Sequence, residues 1–267
     1  MNKIIVCGGD ERNYHLCRFL IEEGFDAVWL FAEKSEMKGD FIIRGDFDKD
    51  NAYAIILPLP LSRDGKTLNT PLSYKSVSLT EIDNFCQNKR VFTSDDSIFA
   101  VNYFKDEGVT VSNARLTAVG FLKELLNFEK EDIMNKKALV TGYGRVSKAV
   151  CDILQRNGVI VTVAARDSAQ RCEAKARGCI ALKITEAENN LRAYDYVINT
   201  VPSPLFSGES IEKADGNTVF FELASSLVSM AEHKPSAYIE CKGMPGKHTP
   251  KSAGRVIADF VTQKMRE

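Results

Sequence analysis

Short apolar runs and helix-spaced apolar positions alternate along the chain. In the first half, apolar and β-branched runs typical of buried parallel strands occupy residues 3–7, 27–31, 53–57, 91–93 and 109–111. Helical spacing of apolar residues predicts helices at 16–23 and near 97–106. This alternation predicts an α/β domain with a parallel sheet of the Rossmann or flavodoxin type.

The same alternation repeats in the second half. Strands are predicted at 138–141, 159–163, 179–182, 195–202, 219–225 and 238–240, and an amphipathic last helix at 251–261 follows a turn-rich loop at 243–251. We therefore expect a second Rossmann-like domain with a parallel sheet. We also expect the last helix to return to the first domain, as it often does in two-domain dehydrogenases.

A long helical pattern at 113–128 lies between the two predicted sheets and indicates a bridging helix. Arg115 and Thr117 fall in its expected first turn, where they are candidates to face a cleft between the domains. A charged linker at 129–137 follows. The expected domains are 1–113 with 250–267, a connection at 114–136, and 137–249.

A glycine turn opens the second domain. The order strand, Gly142-Tyr143-Gly144-Arg145-Val146-Ser147, helix and strand spans about 30 residues, which is the context of a dinucleotide-binding fingerprint. The first glycine permits the tight turn, the second lets the backbone approach a pyrophosphate, and the helix start binds that anion. Serine replaces the third glycine. The candidate cofactor residues here are Gly142, Gly144, Arg145 and Val146.

The end of the next strand bears on which dinucleotide is bound. NAD sites usually place an acidic residue there, whereas this strand ends at Arg166, followed by Asp167 and Ser168. A guanidinium and a hydroxyl suit a 2′-phosphate, so NADP is favoured. Asp167 argues for NAD, and a solvated surface role for Arg166 stays open. The exit of the fourth strand, Thr200-Val201-Pro202, is expected to pass under the nicotinamide side.

The first domain also begins with a strand and a glycine turn, Gly8-Gly9-Asp10. Asp10 stands where a further small residue would be expected, and its charge repels an incoming phosphate. We therefore expect no nucleotide at this turn. Arg12 is a candidate fork for a substrate carboxylate, with a helix-surface arginine as the alternative.

Composition narrows the class of protein. The 267 residues carry 35 Lys and Arg against 36 Asp and Glu, a net charge of −1, so bulk charge indicates neither a nucleic-acid nor a membrane partner. We expect no signal peptide and no membrane span. Seven scattered Cys indicate buried free thiols in a reducing cytoplasm. Three distant His make a metal site unexpected.

Several motifs together resemble the A subunit of dipicolinate synthase. They are Gly8-Gly9-Asp10-x-Arg12, Leu57-Pro58, Asn113 with Thr117 and Gly120, Gly142-x-Gly144-Arg145, Ala165-Arg166, Ile198-Asn199-Thr200-x-Pro202-Ser203, Leu223-Ala224-Ser225 and Pro245-Gly246-x-x-x-Pro250-Lys251-x-Ala253-Gly254. The first and last are the more specific. The middle ones are shared with many NAD(P) enzymes.

The resemblance implies a reaction. The family works with a flavoprotein B subunit during sporulation and oxidises a dihydrodipicolinate-type product of the lysine pathway, with NADP as acceptor. Such a cleft needs cations for two carboxylates, for which Arg12, Arg115 and Lys251 are candidates, with Thr117 beside them. His248 is the candidate proton acceptor, because an unperturbed imidazole titrates near pH 6.5. A solvent-exposed loop position is its alternative. Homo-oligomerisation is left open.

One position and one segment depart from the family pattern. Val119 replaces a glutamate before Gly120, and Ser226-Leu227-Val228-Ser229-Met230 replaces an Arg-Pro-Gly-Gly segment with a following aspartate. Both changes lie on the substrate side. Two alternatives therefore stay open: an NADP-dependent reductase of another small carboxylate, and a non-catalytic nucleotide-binding partner of a flavoprotein.

Overall fold

The computed structural model describes residues 3–44, 52–96, 100–214, 216, 218–224 and 235–267. They form two compact units. The first comprises Met1–Asn113 with Thr249–Glu267, and the second comprises Ala114–His248.

The first unit is built on a five-stranded parallel sheet. Its strands are β1 Lys3–Cys7, β2 Asp26–Leu30, β3 Ala52–Ile56, β4 Arg90–Thr93 and β5 Val101–Asn102, in the spatial order β2-β1-β3-β4-β5. Its helices are α1 Glu11–Glu22, α2 Leu79–Cys86 and, from the end of the chain, α9 Pro250–Arg266, with a 3₁₀ turn at Tyr103–Lys105. This is the flavodoxin strand order.

Both faces of this sheet are buried, which explains the continuous apolar runs in the sequence. Successive side chains of a strand point to opposite faces, so Ile4 and Val6 enter one core and Ile5 and Cys7 the other. The first core is closed by α1 and α9. At their crossing, a Cβ added to Gly254 would lie 2.6 Å from the Arg12 carbonyl oxygen, so the two backbones touch. The expected return of the last helix is confirmed.

The second unit has a six-stranded parallel sheet in the order β11-β10-β9-β6-β7-β8. The strands are β6 Lys137–Thr141, β7 Ile160–Ala164, β8 Ile180–Leu182, β9 Tyr196–Asn199, β10 Val219–Glu222 and β11 Tyr238–Glu240. The helix α3 Glu107–Phe128 begins in the first unit and belongs to the second from Ala114 onward. The other helices are α4 Arg145–Arg156, α5 Ser168–Ala176, α6 Ile184–Glu188, α7 Gly208–Ala214 and α8 Met244–His248, with a 3₁₀ turn at Leu191–Ala193. This is the Rossmann strand order, so the predicted fold class is confirmed.

The prediction for 97–111 is wrong. The fifth strand is Val101–Asn102, and residues 109–111 belong to α3. The Asp106 carboxylate accepts a hydrogen bond from the Val109 amide at 2.9 Å, which starts the helix six residues before Asn113. Arg115 and Thr117 therefore lie about two turns into α3, not in its first turn. Residues 97–99 lie outside the described chain.

Two further predictions need correction. The loop expected at 243–251 contains α8, which packs on α3: a Cβ on Gly120 would lie 2.8 Å from the Met244 Cβ. The fifth strand of the second sheet ends at Glu222, and Ser225 with the departing segment 226–230 falls outside the described residues. Across the described ranges, no helix is long and apolar enough to span a bilayer, and no group of three potential metal ligands occurs.

Candidate cofactor site

The glycine turn of the second unit joins β6 to α4. Gly142 has φ +73°, and a Cβ there would lie 2.7 Å from Cγ2 of Val201, so only glycine fits. Val201 belongs to the exit of β9, the neighbouring strand. Tyr143 is 2% exposed and joins the core beneath the turn. Contacts on its inner side therefore hold the shape of the turn.

The outer side of the turn is open. A Cβ added to Gly144 meets no heavy atom of the described chain within 4 Å. Gly144 is the N-cap of α4, supplies no side-chain cap, and is followed by a first turn without acidic residues. Since the α4 amides carry the positive end of a 12-residue helix, this arrangement fits an anion brought close to the backbone.

The remaining fingerprint positions support this turn. Ser147 is fully buried, and its hydroxyl donates to the Gly144 carbonyl at 3.1 Å, so serine serves the close helix–strand packing expected of the third position. Val146 packs partly against the core, while Arg145 is exposed at the first helical residue.

A buried polar network fastens the turn to the next strands. The Thr200 hydroxyl donates to the Thr141 carbonyl at 2.7 Å, and the Thr141 hydroxyl donates to Asn199 Oδ1 at 2.6 Å. Asn199 Nδ2 in turn donates to both carboxylate oxygens of Glu222, at 3.1 and 3.0 Å. The network therefore links the carboxyl ends of β6, β9 and β10, where ligands of parallel sheets bind.

Asn199 and Glu222 are buried polar residues, each 1% exposed. Neither was among the predicted site residues. The available signal was a polar residue at the end of each of two apolar strands. Of the predicted exit residues, Thr200 and Val201 hold the turn through the contacts above. Pro202 follows them and is exposed.

The loop after β7 involves two arginines, one in the loop itself and one in α5. Arg166 is exposed just past the strand, and the nearby Arg171 Nη1 donates to the carbonyls of Ala165 and Arg166 at 2.8 and 2.6 Å. Asp167 is the N-cap of α5 and accepts from the Ala169 amide at 2.8 Å, while Ser168 is the first helical residue and is exposed. Arg171 was missed, because its helical position gave no sign that it reaches back to this loop.

His248 ends α8 within the second unit. Its Nε2 lies 2.7 Å from Glu124 Oε1, and Glu124 also pairs with Lys247. The Lys247 ammonium, and after it the His248 ring, hold the pKa of the Glu124 carboxyl below its usual value. His248 is thus a partly buried residue with a carboxylate partner rather than a solvated loop residue. Glu124 was not predicted, because its partner is 124 residues away.

The other predicted substrate residues have different surroundings. Arg12 is 7% exposed, forms a two-point ion pair with Asp10, and also donates to the Leu59 carbonyl. Arg115 is an exposed residue of α3, and Thr117 is half-buried. Lys251 lies in the first turn of α9 and belongs to the first unit, whereas His248 belongs to the second.

Comparison with known proteins connects this architecture to one family. Residues 3–112 match the model of the N-terminal domain of the dipicolinate synthase A subunit. The matched range lies within the first unit. The resemblance inferred from the sequence motifs is therefore confirmed.

Relatives extend the similarity beyond the first unit. The dipicolinate synthase A subunit of Bacillus subtilis is 22% identical, over 99% of this chain and 96% of its own. The crystal structure of the same subunit from Bacillus halodurans superposes with a TM-score of 0.84 at 22% identity, covering 100% and 98% of the two chains. A transhydrogenase from Sinorhizobium meliloti reaches 0.63 at 12% identity, covering 97% and 92%. The structural matches show a shared fold.

Proposed function

We propose that the chain is the A subunit of a dipicolinate synthase and acts in the cytoplasm as an NADP-linked oxidoreductase. Its substrate is a dihydrodipicolinate-type dicarboxylate drawn from the lysine pathway during sporulation, and its partner is a flavoprotein B subunit. The open amide turn at Gly144, on a chain similar to the dipicolinate synthase A subunit over nearly its whole length, is the observation on which this proposal rests.

The second unit supplies the cofactor site. The α4 amides beyond Gly144 hold the pyrophosphate, with Arg145 and Val146 forming the first turn under it. Gly142 keeps the turn tight, and Thr200, Val201 and Pro202 shape the edge next to the nicotinamide. Bound at this site, NADP would supply the hydride acceptor for oxidation of the dihydropyridine ring.

Arg166 and Ser168 favour NADP over NAD. The guanidinium of Arg166 is exposed, and the loop carrying it is held by two hydrogen bonds from Arg171, which adds a second positive charge. The carboxylate of Asp167, which favoured NAD in the sequence, accepts from the Ala169 amide as a helix cap. This hydrogen bond partly compensates the charge of Asp167, so the repulsion between Asp167 and a nearby 2′-phosphate is reduced.

Substrate oxidation also requires carboxylate binding and proton removal. Lys251, Arg115 and Arg12 are the proposed cations for the two carboxylates, with Thr117 as an added hydrogen-bonding group. Of these, Arg12 is the least available to bind a substrate carboxylate, because Asp10 already neutralises its charge. His248 is the proposed proton acceptor; its bond to Glu124 through Nε2 leaves Nδ1 as the atom that takes the proton.

A non-catalytic role as the nucleotide-binding partner of a flavoprotein is the second candidate, and reduction of another small carboxylate is the third. Val119 and the altered segment after Ser225 favour them, because both replace charged residues of the family pattern.

The test is turnover with purified components. The full chain is incubated with freshly formed dihydrodipicolinate and NADP, with and without its B subunit, and dipicolinate is followed by its ultraviolet absorbance. We expect product formation that depends on this chain. NADPH binding without turnover under both conditions would favour the non-catalytic role, and absence of nucleotide binding would contradict all three.

A further inference from the structure

The helices α1 and α9 of the first unit enclose a groove of about 450 Å³. Its lining is dominated by basic side chains, with one carboxylate and one aromatic ring: His15, Arg18, Phe19, Glu22, Lys251, Ser252 and Arg255. None of the α1 residues in this set was predicted as a site residue. Every lining residue belongs to the first unit, so the groove is formed without the glycine turn of the second unit.

At one end of the groove the charged side chains are paired with one another. Arg255 stacks on the Phe19 ring with 3.6 Å between the guanidinium carbon and the ring centroid. Glu22 lies 3.6 Å from Arg255 and 3.7 Å from Arg18, so one carboxylate bridges the two guanidinium groups across the helices. These contacts fix the width of the groove and the direction of both arginines.

The other end carries uncompensated positive charge. No carboxylate of the described chain lies within ion-pair distance of Lys251, which stands in the first turn of α9, a turn without acidic residues. The amides of that turn add the positive end of a 17-residue helix, and Ser252 adds a hydroxyl. His15 faces this end from α1. Burial first, and then the charges of Lys251 and Arg18, lower the pKa of His15, while Glu11 acts in the opposite direction.

The position of these groups is rigid. Gly254, three residues after Lys251, touches the α1 backbone, and a Cβ on it would come within 3.0 Å of the His15 Cβ. The backbones that carry His15 and Lys251 are therefore held at a fixed separation, which lowers the ordering cost of binding a ligand between them.

We infer that the groove between α1 and α9 binds a small anion through its carboxylate or phosphate group, with Lys251 and His15 as the anchoring side chains. Such a ligand satisfies the end that protein carboxylates leave unpaired. The assignment gives Lys251 a ligand class, and to that extent it rests on the proposed function. The anion has two possible sources, a pyridine dicarboxylate of the proposed reaction or a free phosphate group.

The experiment uses the full chain with ¹³C-labelled histidine, at low ionic strength, without cofactor or B subunit. The His15→Asn variant assigns the His15 ring signal among the three histidines. Pyridine-2,6-dicarboxylate and inorganic phosphate are titrated separately. A bound anion favours the imidazolium, so we expect the His15 titration midpoint to rise by about half a pH unit or more.

The variant Lys251→Gln should weaken anion binding by about tenfold. The control Lys264→Gln makes the same charge change on the same helix outside the groove, where Lys264 pairs with Glu267, and should leave affinity within about twofold. An effect from either anion that needs Lys251 supports the site, and the tighter anion identifies the source. Unchanged His15 signals with both anions up to about 10 mM, or equal losses in the two lysine variants, would overturn the inference.

Because the readout is binding without cofactor, failure here leaves the proposed oxidoreductase function standing. Failure of turnover likewise leaves this site intact.

Discussion

The two units each begin with a strand and a glycine turn, yet the two turns differ in what surrounds them. A Cβ on Gly8 would lie 2.7 Å from the Asn69 carbonyl oxygen, and one on Gly9 would lie 2.4 Å from Asn13 Nδ2. By contrast, a Cβ on Gly144 meets no described atom within 4 Å. The same residue type therefore makes room for the protein itself in one turn and leaves space for a ligand in the other.

The polar groups follow the same division. In the first turn, the Gly9 amide donates to the Asn69 carbonyl at 2.8 Å, and the Gly8 carbonyl accepts from Trp29 Nε1 and Asn13 Nδ2. The carboxylate of Asp10 caps the start of α1, whereas Gly144 stands at the start of α4 and has no side chain to cap it. A glycine motif therefore indicates a nucleotide site only where its amides are not bonded within the protein and no carboxylate caps the helix that follows.

The largest expected effect on cofactor binding comes from filling the open turn. Gly144→Val should weaken binding of both NADPH and NADH by about 100-fold or more, equivalent to about 2.7 kcal/mol, because its side chain enters the space of the pyrophosphate. Cofactor titration by fluorescence measures the loss. Since an added Cβ contacts no described atom, the melting temperature should change little. Wild-type affinity in this variant would remove the pyrophosphate role.

The matched control is Gly9→Val in the filled turn. Its backbone has φ +76° and its new side chain collides with Asn13, so we expect lost stability of the first unit, by about 1 to 3 kcal/mol. Cofactor affinity of the protein that stays folded should be unchanged.

Removing the Asp10 carboxylate should cost the first unit about 3 kcal/mol, because Asp10→Ala leaves the buried Arg12 guanidinium without its ion pair. Urea unfolding followed by the fluorescence of Trp29, the single tryptophan and a residue of this unit, measures the change. A loss no greater than that of an ordinary cap, about 1 kcal/mol, would show that the ion pair adds nothing.

Arg166→Ala should weaken NADPH binding by about tenfold or more and NADH binding by less than about twofold, because only NADPH carries the 2′-phosphate. Parallel titrations of the two cofactors provide the measurement. Equal losses would refute the 2′-phosphate assignment. Arg192→Ala, an exposed arginine of the same unit, serves as the charge control.

The smallest effect concerns the second aspartate cap. Asp167→Ala should destabilise the second unit by only about 1 kcal/mol, since it removes one hydrogen bond to the Ala169 amide and no buried charge partner. The same variant should keep or improve NADPH affinity, because a negative charge beside the phosphate is lost. A marked loss of NADPH affinity would mean that the cap holds Arg166 in place.

The strand pattern and the glycine turn were predictable because both depend on neighbours in the sequence. Burial of a parallel strand on both faces demands a continuous apolar run, and such runs mark β1, β3, β6 and β9. The prediction failed at 109–111, where β-branched residues resemble a strand. There the Asp106 cap and the continuing helix outweigh local preference.

The site was only partly predictable. Gly142 and Gly144 are recognised by spacing, whereas Glu124 and Glu222 matter through partners 124 and 23 residues away. Such pairings follow from the tertiary structure and leave no periodic trace. The groove of His15 and Lys251 has the same origin, because it joins the first helix of the chain to the last.

The position of α9 has a consequence for how the protein is made. The first unit lacks one wall of its core until residues 249–267 have left the ribosome, since Ile257, Phe260 and Val261 belong to that core. The second unit, residues 114–248, is complete before then. The ribosome therefore completes the sequence of the second unit before it completes that of the first. A fragment that stops at residue 113 would expose an apolar surface where the last helix should pack.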